Sequence, residues 1–310
     1  MNTTQLLNLL FTNRELIQRN NLHAVEHLQM LQKDYAHVAD EEVILNIEFN
    51  KSLAEWHFHS KHNSAIENSL RIVSQYNTTK HQNMLARHYW LIGFCYGNKG
   101  EYEPAKKYLL LALLHVTPNE QGFVTIKSDV LTALAMNEEI IGKDHQRAIE
   151  YLEQALPILK DTGYDIYLAN TLMGLGNVHI NTENISESLK YYQQAVEIYE
   201  RHFDLANMAS AYSNIGTCYI ESEEYAQAEK YLEKSLEMRM KFGTPQQLCI
   251  SYYNLAIVYK HTNQKIRAYD TVLKCKEILE KADNEHFLGE AEDLRRIIAE
   301  EIKIEQLTAA

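Results

Sequence analysis

The 310-residue chain carries 42 Asp and Glu against 30 Lys and Arg, a net charge of −12, and 45% of it is hydrophobic. That balance supplies a sizeable core and argues against a nucleic-acid phosphate backbone as a partner for the whole surface. No run of about 18 apolar residues offers a membrane span, and the opening MNTTQLLNLLFTNRE lacks the basic segment and cleavage site of a secretory signal. Only 11 Gly and 4 Pro predict long uninterrupted helices, and 20 Tyr against 2 Trp fit an architecture with a recurring aromatic slot. Cys95, Cys218, Cys249 and Cys275 have no CxxC spacing; buried free thiols in a reducing, cytoplasmic setting are expected.

In chain order, the elements read as seven helix-turn-helix units near 5–40, 46–80, 86–120, 129–163, 169–204, 209–243 and 249–283. The first two are degenerate. The clearest is Ala209 to Phe242, where Tyr212, Ile215, Gly216 and Tyr219 recur at helical spacing, then Tyr225, Ala228, Tyr231, Leu232 and Leu236 after a polar turn. A small residue in the first helix sets the register: Gly93, Met136, Gly176, Gly216 and Ala256, extended back to Leu53 and Thr12. The second helix repeats it with Ala24, Ala65, Ala105, Ala148, Ser188, Ala228 and Ala268. Thr244-Pro245-Gln246-Gln247 reads as a capping box with proline at the first helical position. Gly243 and Gly163 close helices, Pro104 falls in a first turn, and Pro157 predicts a kink or an early end. Asp283 caps a last helix (284–310) running to about Leu307. Its stripe is Phe287, Ala291, Leu294, Ile298 and Ile302, and Ile297 and Ile304 form part of a second apolar face.

This pattern resembles the tetratricopeptide repeat, with period about 40 in place of the usual ~34. It is similar to the arrays of kinesin light chain, LGN-type adaptors and bacterial Rap-type peptide receptors. The resemblance covers about residues 5–280 and implies an all-α, right-handed superhelix in which the first helix of each repeat (helix A) lines a concave groove. The groove residues it implies are Arg87, Trp90 and Phe94, then Asn137, Met173 and Asn177, then Asn214, Tyr253, Asn254 and Lys260. An amide offers donors and an acceptor to an extended backbone regardless of sequence, so Asn137, Asn177, Asn214 and Asn254 read as a ladder. The alternative is that each bonds the neighbouring repeat. Trp90, Phe94, Met173, Ile180 and Tyr253 would supply apolar pockets. Arg87 and Lys260 are too far apart in the chain for a dicarboxylate clamp.

Other motifs carry less. His23-Ala24-Val25-Glu26-His27 matches HxxEH, the zinc-peptidase pattern, but Ala24 is the helix B alanine and no third ligand is evident. The run Trp56-His57-Phe58-His59-Ser60-Lys61-His62 reads as a helix end and turn. No phosphate loop, nucleophile elbow or cofactor motif is present, so no enzyme, metal or cofactor is expected. The expected function is a scaffold that holds a peptide or protein segment, with no direct nucleic-acid or membrane partner. The rival is a regulatory input domain of a bacterial signalling protein such as a cyclase, kinase or transcription regulator. There the C-terminal helix RRIIAEEIKIEQLTAA would act as a coiled-coil connector or homodimer contact. Rap-type regulators carry a separate N-terminal bundle, whereas the repeats here begin near Gln5.

Overall fold

The structure is a computed structural model that describes residues 5–10, 23–34, 40–59, 61–76, 80–118, 122–141, 144–160, 162–281 and 285–308. Those residues contain helices and turns and no strand. The helices are α1 (residues 5–10), α2 (His23–Asp34), α3 (Glu41–His59), α4 (His62–Gln75), α5 (Gln82–Asn98), α6 (Tyr102–His115), α7 (Phe123–Ile141), α8 (His145–Leu159), α9 (Asp165–Asn181), α10 (Ile185–Arg201), α11 (Leu205–Glu221), α12 (Tyr225–Phe242), α13 (Pro245–His261), α14 (Lys265–Lys281) and α15 (Glu285–Thr308). They form two compact units, Met1–Gly174 and Leu175–Ala310, with the boundary inside α9. From α2 to α8 and from α10 to α15 each helix packs on its neighbour in the chain, and alternate helices also touch: α3 on α5, α5 on α7, and α11 on α13. That is the all-α helix-pair architecture expected from the periodicity.

Small residues let the paired helices approach. A Cβ on Gly93 would sit 2.8 Å from Leu109 Cγ, and one on Gly216 would sit 2.6 Å from Leu232 Cγ. The opposing alanines Ala65, Ala105, Ala148, Ala228 and Ala268 are fully buried. Ser188 takes the same place and uses its hydroxyl to donate to the Gly176 carbonyl at 2.8 Å.

One step of the register is corrected. Met136 is 45% exposed, whereas Ala135 is buried beside Leu134, so Ala135 fills the small-residue slot of the fourth repeat. A one-residue slip turns a helix by about 100°. Asn137 therefore takes the core position that Val178, Cys218 and Val258 occupy in later repeats, all of them buried.

Turns follow the chemistry of their residues. Gly100, Glu183, Glu223 and Asn263 all take positive φ between paired helices. Each following amide returns to the helix it leaves, as in Glu224 N to Tyr219 O and Gln264 N to Tyr259 O, both 2.8 Å. The capping box forms: Thr244 Oγ1 accepts from Gln247 N at 3.3 Å, and Thr244 N donates to Gln247 Oε1 at 3.0 Å. Gly163 takes φ +78, but Gly243 is extended at φ −80. Glycine is needed there because a Cβ would lie 2.6 Å from the Arg239 carbonyl oxygen. Pro104 lies in the first turn of α6, and α8 ends two residues after Pro157. Thr12 and Asp283 lie outside the described residues, and α15 runs to Thr308. Its buried stripe includes Ala291, Leu294 and Ile298, while Ile297 is exposed.

Candidate functional site

In the second unit the predicted amides link successive repeats. Asn214 Nδ2 donates to Asn177 Oδ1 at 3.0 Å, and the Tyr192 hydroxyl donates to the same oxygen at 2.6 Å. Asn254 Nδ2 donates to Thr217 Oγ1 at 3.4 Å, and Thr217 bonds back to the Ser213 carbonyl. The rule is uniform: the residue after the slot of one repeat accepts from the residue two before the slot of the next. Each link fastens successive A helices and leaves polar atoms over. Both bonds to Asn177 fall on its carbonyl, so its Nδ2 donors are used by neither, and Asn177 is exposed.

Tyr253 is half-buried, and burial, reinforced by Glu290 and Asp293, pushes its hydroxyl pKa up. Lys260 pairs with Glu301 of α15 at 3.3 Å, so the helix that follows the repeats neutralises it. Exposed Ile250 and Ile297 belong to the same unit. A crevice of about 330 Å³ lies between α15 and the α13–α14 turn, lined by residues 263–267, Ile302 and Gln306. None of the expected site residues lines it.

In the first unit three expected groove residues turn inward. Arg87 is 2% exposed. Its Nη2 donates to Thr125 Oγ1 at 2.6 Å and, at 3.4 Å, to the Gly122 carbonyl, where α7 begins. Burial lowers its pKa and the nearby Tyr167 and Asp129 raise it, so the guanidinium is a compensated interior group. Asn137 is buried by the register slip, and its Nδ2 donates to the Tyr102 carbonyl at 3.2 Å. Trp90 is buried against Phe49 and Phe94, with ring centroids 6.5 and 5.4 Å away. Phe94 is half-buried and meets Trp56 edge-on at 5.0 Å, and Met173 is half-buried. The residues that face outward instead are Met136, Ile140 (53% exposed) and Ile141. The sequence register already puts Ile140 and Ile141 at groove positions, and placing the slot at Ala135 adds Met136.

No group of three His, Cys, Asp or Glu among the described residues can hold a metal. The side chain of His23 lies outside the described ones, and Glu26 and His27 both have partners within the chain. All four cysteines are buried free thiols, and burial pushes Cys95 up to about 12, away from a reactive thiolate. No described helix is long and apolar enough to cross a membrane.

Comparison with known families decides the class. A family model described as tetratricopeptide repeat matches residues 127–201 and 207–281, and a second of the same description matches 86–114, together more than half of the chain. The chain belongs to the tetratricopeptide-repeat family. Among curated proteins, none matches its sequence. Among solved structures it is similar to a Rap protein complexed with Competence and Sporulation Factor, at 15% identity and TM-score 0.73, covering 99% of this chain and 89% of that one. It is also similar to NprR in complex with its cognate peptide NprX, at 15% identity and TM-score 0.65, covering 93% and 82%. Kinesin-light-chain TPR-like repeats from Podosopora anserina match at 16% identity and TM-score 0.52, covering 66% and 99%. At these identities the likeness is one of fold.

Proposed function

We propose that this tetratricopeptide-repeat chain is a non-catalytic binding module that holds an extended peptide or partner segment on the A-helix face of its repeats. The observation that carries this reading is the amide series of the second unit. Asn177, Asn214 and Asn254 recur on successive A helices, and each link between repeats leaves donor or acceptor atoms unspent. A peptide backbone presents the complementary groups at every residue. NprR, one of the proteins of similar fold, was solved with its cognate peptide. Tyr253 and Ile250 in the second unit, and Met136 and Ile140 in the first, offer apolar surface for ligand side chains. Four buried thiols suit a reducing compartment. The regulatory reading is supported by exposed Ile297 on α15, an apolar residue that a second copy or an output domain would cover.

The test is display selection of short peptides on the purified chain, followed by titration of the winners against Asn214→Ala and Asn254→Ala. Loss of a hydrogen bond to ligand backbone costs about 1–3 kcal/mol, a roughly 5- to 150-fold weakening. The loss should be similar for ligands of different sequence, and melting curves check that the repeat link itself was dispensable. Unchanged affinity in both folded variants would assign the amides to scaffolding alone.

A further inference from the structure

Arg239, in the last turn of α12, is only 6% exposed. Its Nη1 donates to the Gln247 carbonyl and to Ser251 Oγ on α13, both at 2.9 Å, and to Ser213 Oγ on α11 at 3.4 Å. Every one of those partners is a neutral oxygen. Nε is buried without a partner, and Nη2 makes none of these bonds. Burial lowers the guanidinium pKa to about 10, so it stays charged at neutral pH, and no carboxylate among the described residues offsets the charge. Arg87 makes the contrast, because Asp129 lies close enough to favour its charge.

Buried charges in proteins are ordinarily paired, and a buried donor left unpaired calls for an explanation. The α12 C-terminus lends partial negative charge, but it supplies no acceptor to Nε. The unfilled groups also have a shape. Nε–H and Nη2–H form the side edge of the guanidinium, whose two parallel donors match the two oxygens of a carboxylate. Nε, at one end of that edge, is the buried and unpaired donor. Ser213 immediately precedes Asn214 of the amide series on α11.

We propose that Arg239 is an anion-recognition residue, its Nε–Nη2 edge taking a carboxylate while Ser213, Ser251 and the Gln247 carbonyl hold the opposite end. That a bound peptide brings the carboxylate, as an acidic side chain or a free C-terminus, rests on the peptide-binding reading above. The anion site itself does not. Sequence reading missed it because the residue stands on a B helix, while the groove pattern is written in A helices.

Two measurements test it. In the first, the intact chain is melted in sodium chloride and in sodium acetate at equal ionic strength, beside Arg239→Met and Arg239→Lys. Saturating acetate should raise the wild-type midpoint by roughly 2–4 °C and leave both variants unmoved. Lysine keeps the charge but lacks the two parallel donors, so it guards against a methionine variant that fails to fold. In chloride Arg239→Met should melt no lower than wild type, because an uncompensated buried charge is exchanged for an apolar chain. If acetate leaves wild type unmoved and Arg239→Met is merely destabilised, the arginine is a structural pin and the proposal is overturned. In the second, selected peptides are compared with amidated and Asp/Glu-free analogues, which separates C-terminal from side-chain carboxylates. The favoured carboxylate should be worth roughly ten- to a hundredfold on wild type and nothing on Arg239→Met. Peptides that bind both proteins alike, whatever their charge, would overturn the proposal and keep the peptide reading. An acetate response with no peptide bound would support the anion site and sink the peptide reading.

Discussion

Gly176→Ala puts the helix-pair contact to a direct test. A Cβ at Gly176 would lie 2.4, 2.6 and 2.8 Å from three ring carbons of Tyr192. The ring cannot easily give way: Tyr192 is fully buried, and its hydroxyl is held by Asn177 Oδ1 at 2.6 Å. The glycine cannot retreat either, because its carbonyl accepts from Ser188 Oγ. Overpacking costs about 1–3 kcal/mol, whereas alanine gains about 0.8–1.0 kcal/mol over glycine inside a helix. With both sides pinned, the net should be a destabilisation of about 1–2 kcal/mol. Gly97→Ala is the control, since the nearest atom to its new methyl is Ala105 Cβ at 3.9 Å. That substitution should stabilise by about 0.5–1 kcal/mol. Urea unfolding followed by far-UV circular dichroism reads both. At an m-value of about 3 kcal/mol/M, the Gly176 variant should lose roughly 0.3–0.7 M in midpoint. If Gly176→Ala matches or exceeds wild type while Gly97→Ala falls below it, the helix-pair geometry is wrong.

Substitutions at two further positions probe the turns and the core. Phe203 adopts φ 53 in the α10–α11 turn and is 86% exposed, so its ring contributes little. Left-handed backbone costs an L-residue about 1–2 kcal/mol, and Phe203→Gly should therefore stabilise by about 0.5–1 kcal/mol after glycine's unfolded-state entropy. Phe203→Ala keeps the strain and should not, and equal urea midpoints for the two would refute the account. Burial pushes His88 down to about 4, so the imidazole is neutral in the fold. Between about pH 6.5 and 4 the unfolded chain binds a proton that the folded one does not, so stability present above pH 6.5 is lost as pH falls. The loss should be on the order of 2 kcal/mol near pH 4.5. His88→Gln should flatten that slope in unfolding free energies measured at pH 7 and 4.5, and parallel slopes would exclude His88 as the cause.

Most of the fold was legible because it is written in local periodicity. Helix pairs and the Thr244 capping box follow from residues within one or two turns of each other, and the Ala105 to Ala268 series follows from the repeat period. The site was less so, for reasons that differ by residue. Around 133–137 the chain reads Ala-Leu-Ala-Met-Asn, and a preference for even spacing chose Met136 over Ala135 as the slot, carrying Asn137 from core to surface. Arg87 stands at a groove position, but α7 begins over it with Thr125 and Gly122, acceptors 38 and 35 residues away in sequence. Arg239 is held by Ser213, 26 residues upstream, and Ser251, 12 downstream, in positions that no helical period connects.

The asparagines mark the limit of sequence reading most clearly, because an amide that can grip a peptide can grip its neighbour equally well. One sign of the second role was nonetheless present in the numbering. Asn214 and Asn254 are a full repeat apart, but Asn177 and Asn214 are 37 apart, as are Thr217 and Asn254. A ladder of equivalent ligand contacts keeps the repeat period. A contact between neighbouring A helices joins two different positions and so departs from it, here by three residues, or about one helical turn. The short interval therefore belongs to the links that hold the array together. A ligand is left with the atoms those links do not use, the Asn177 amide donors among them.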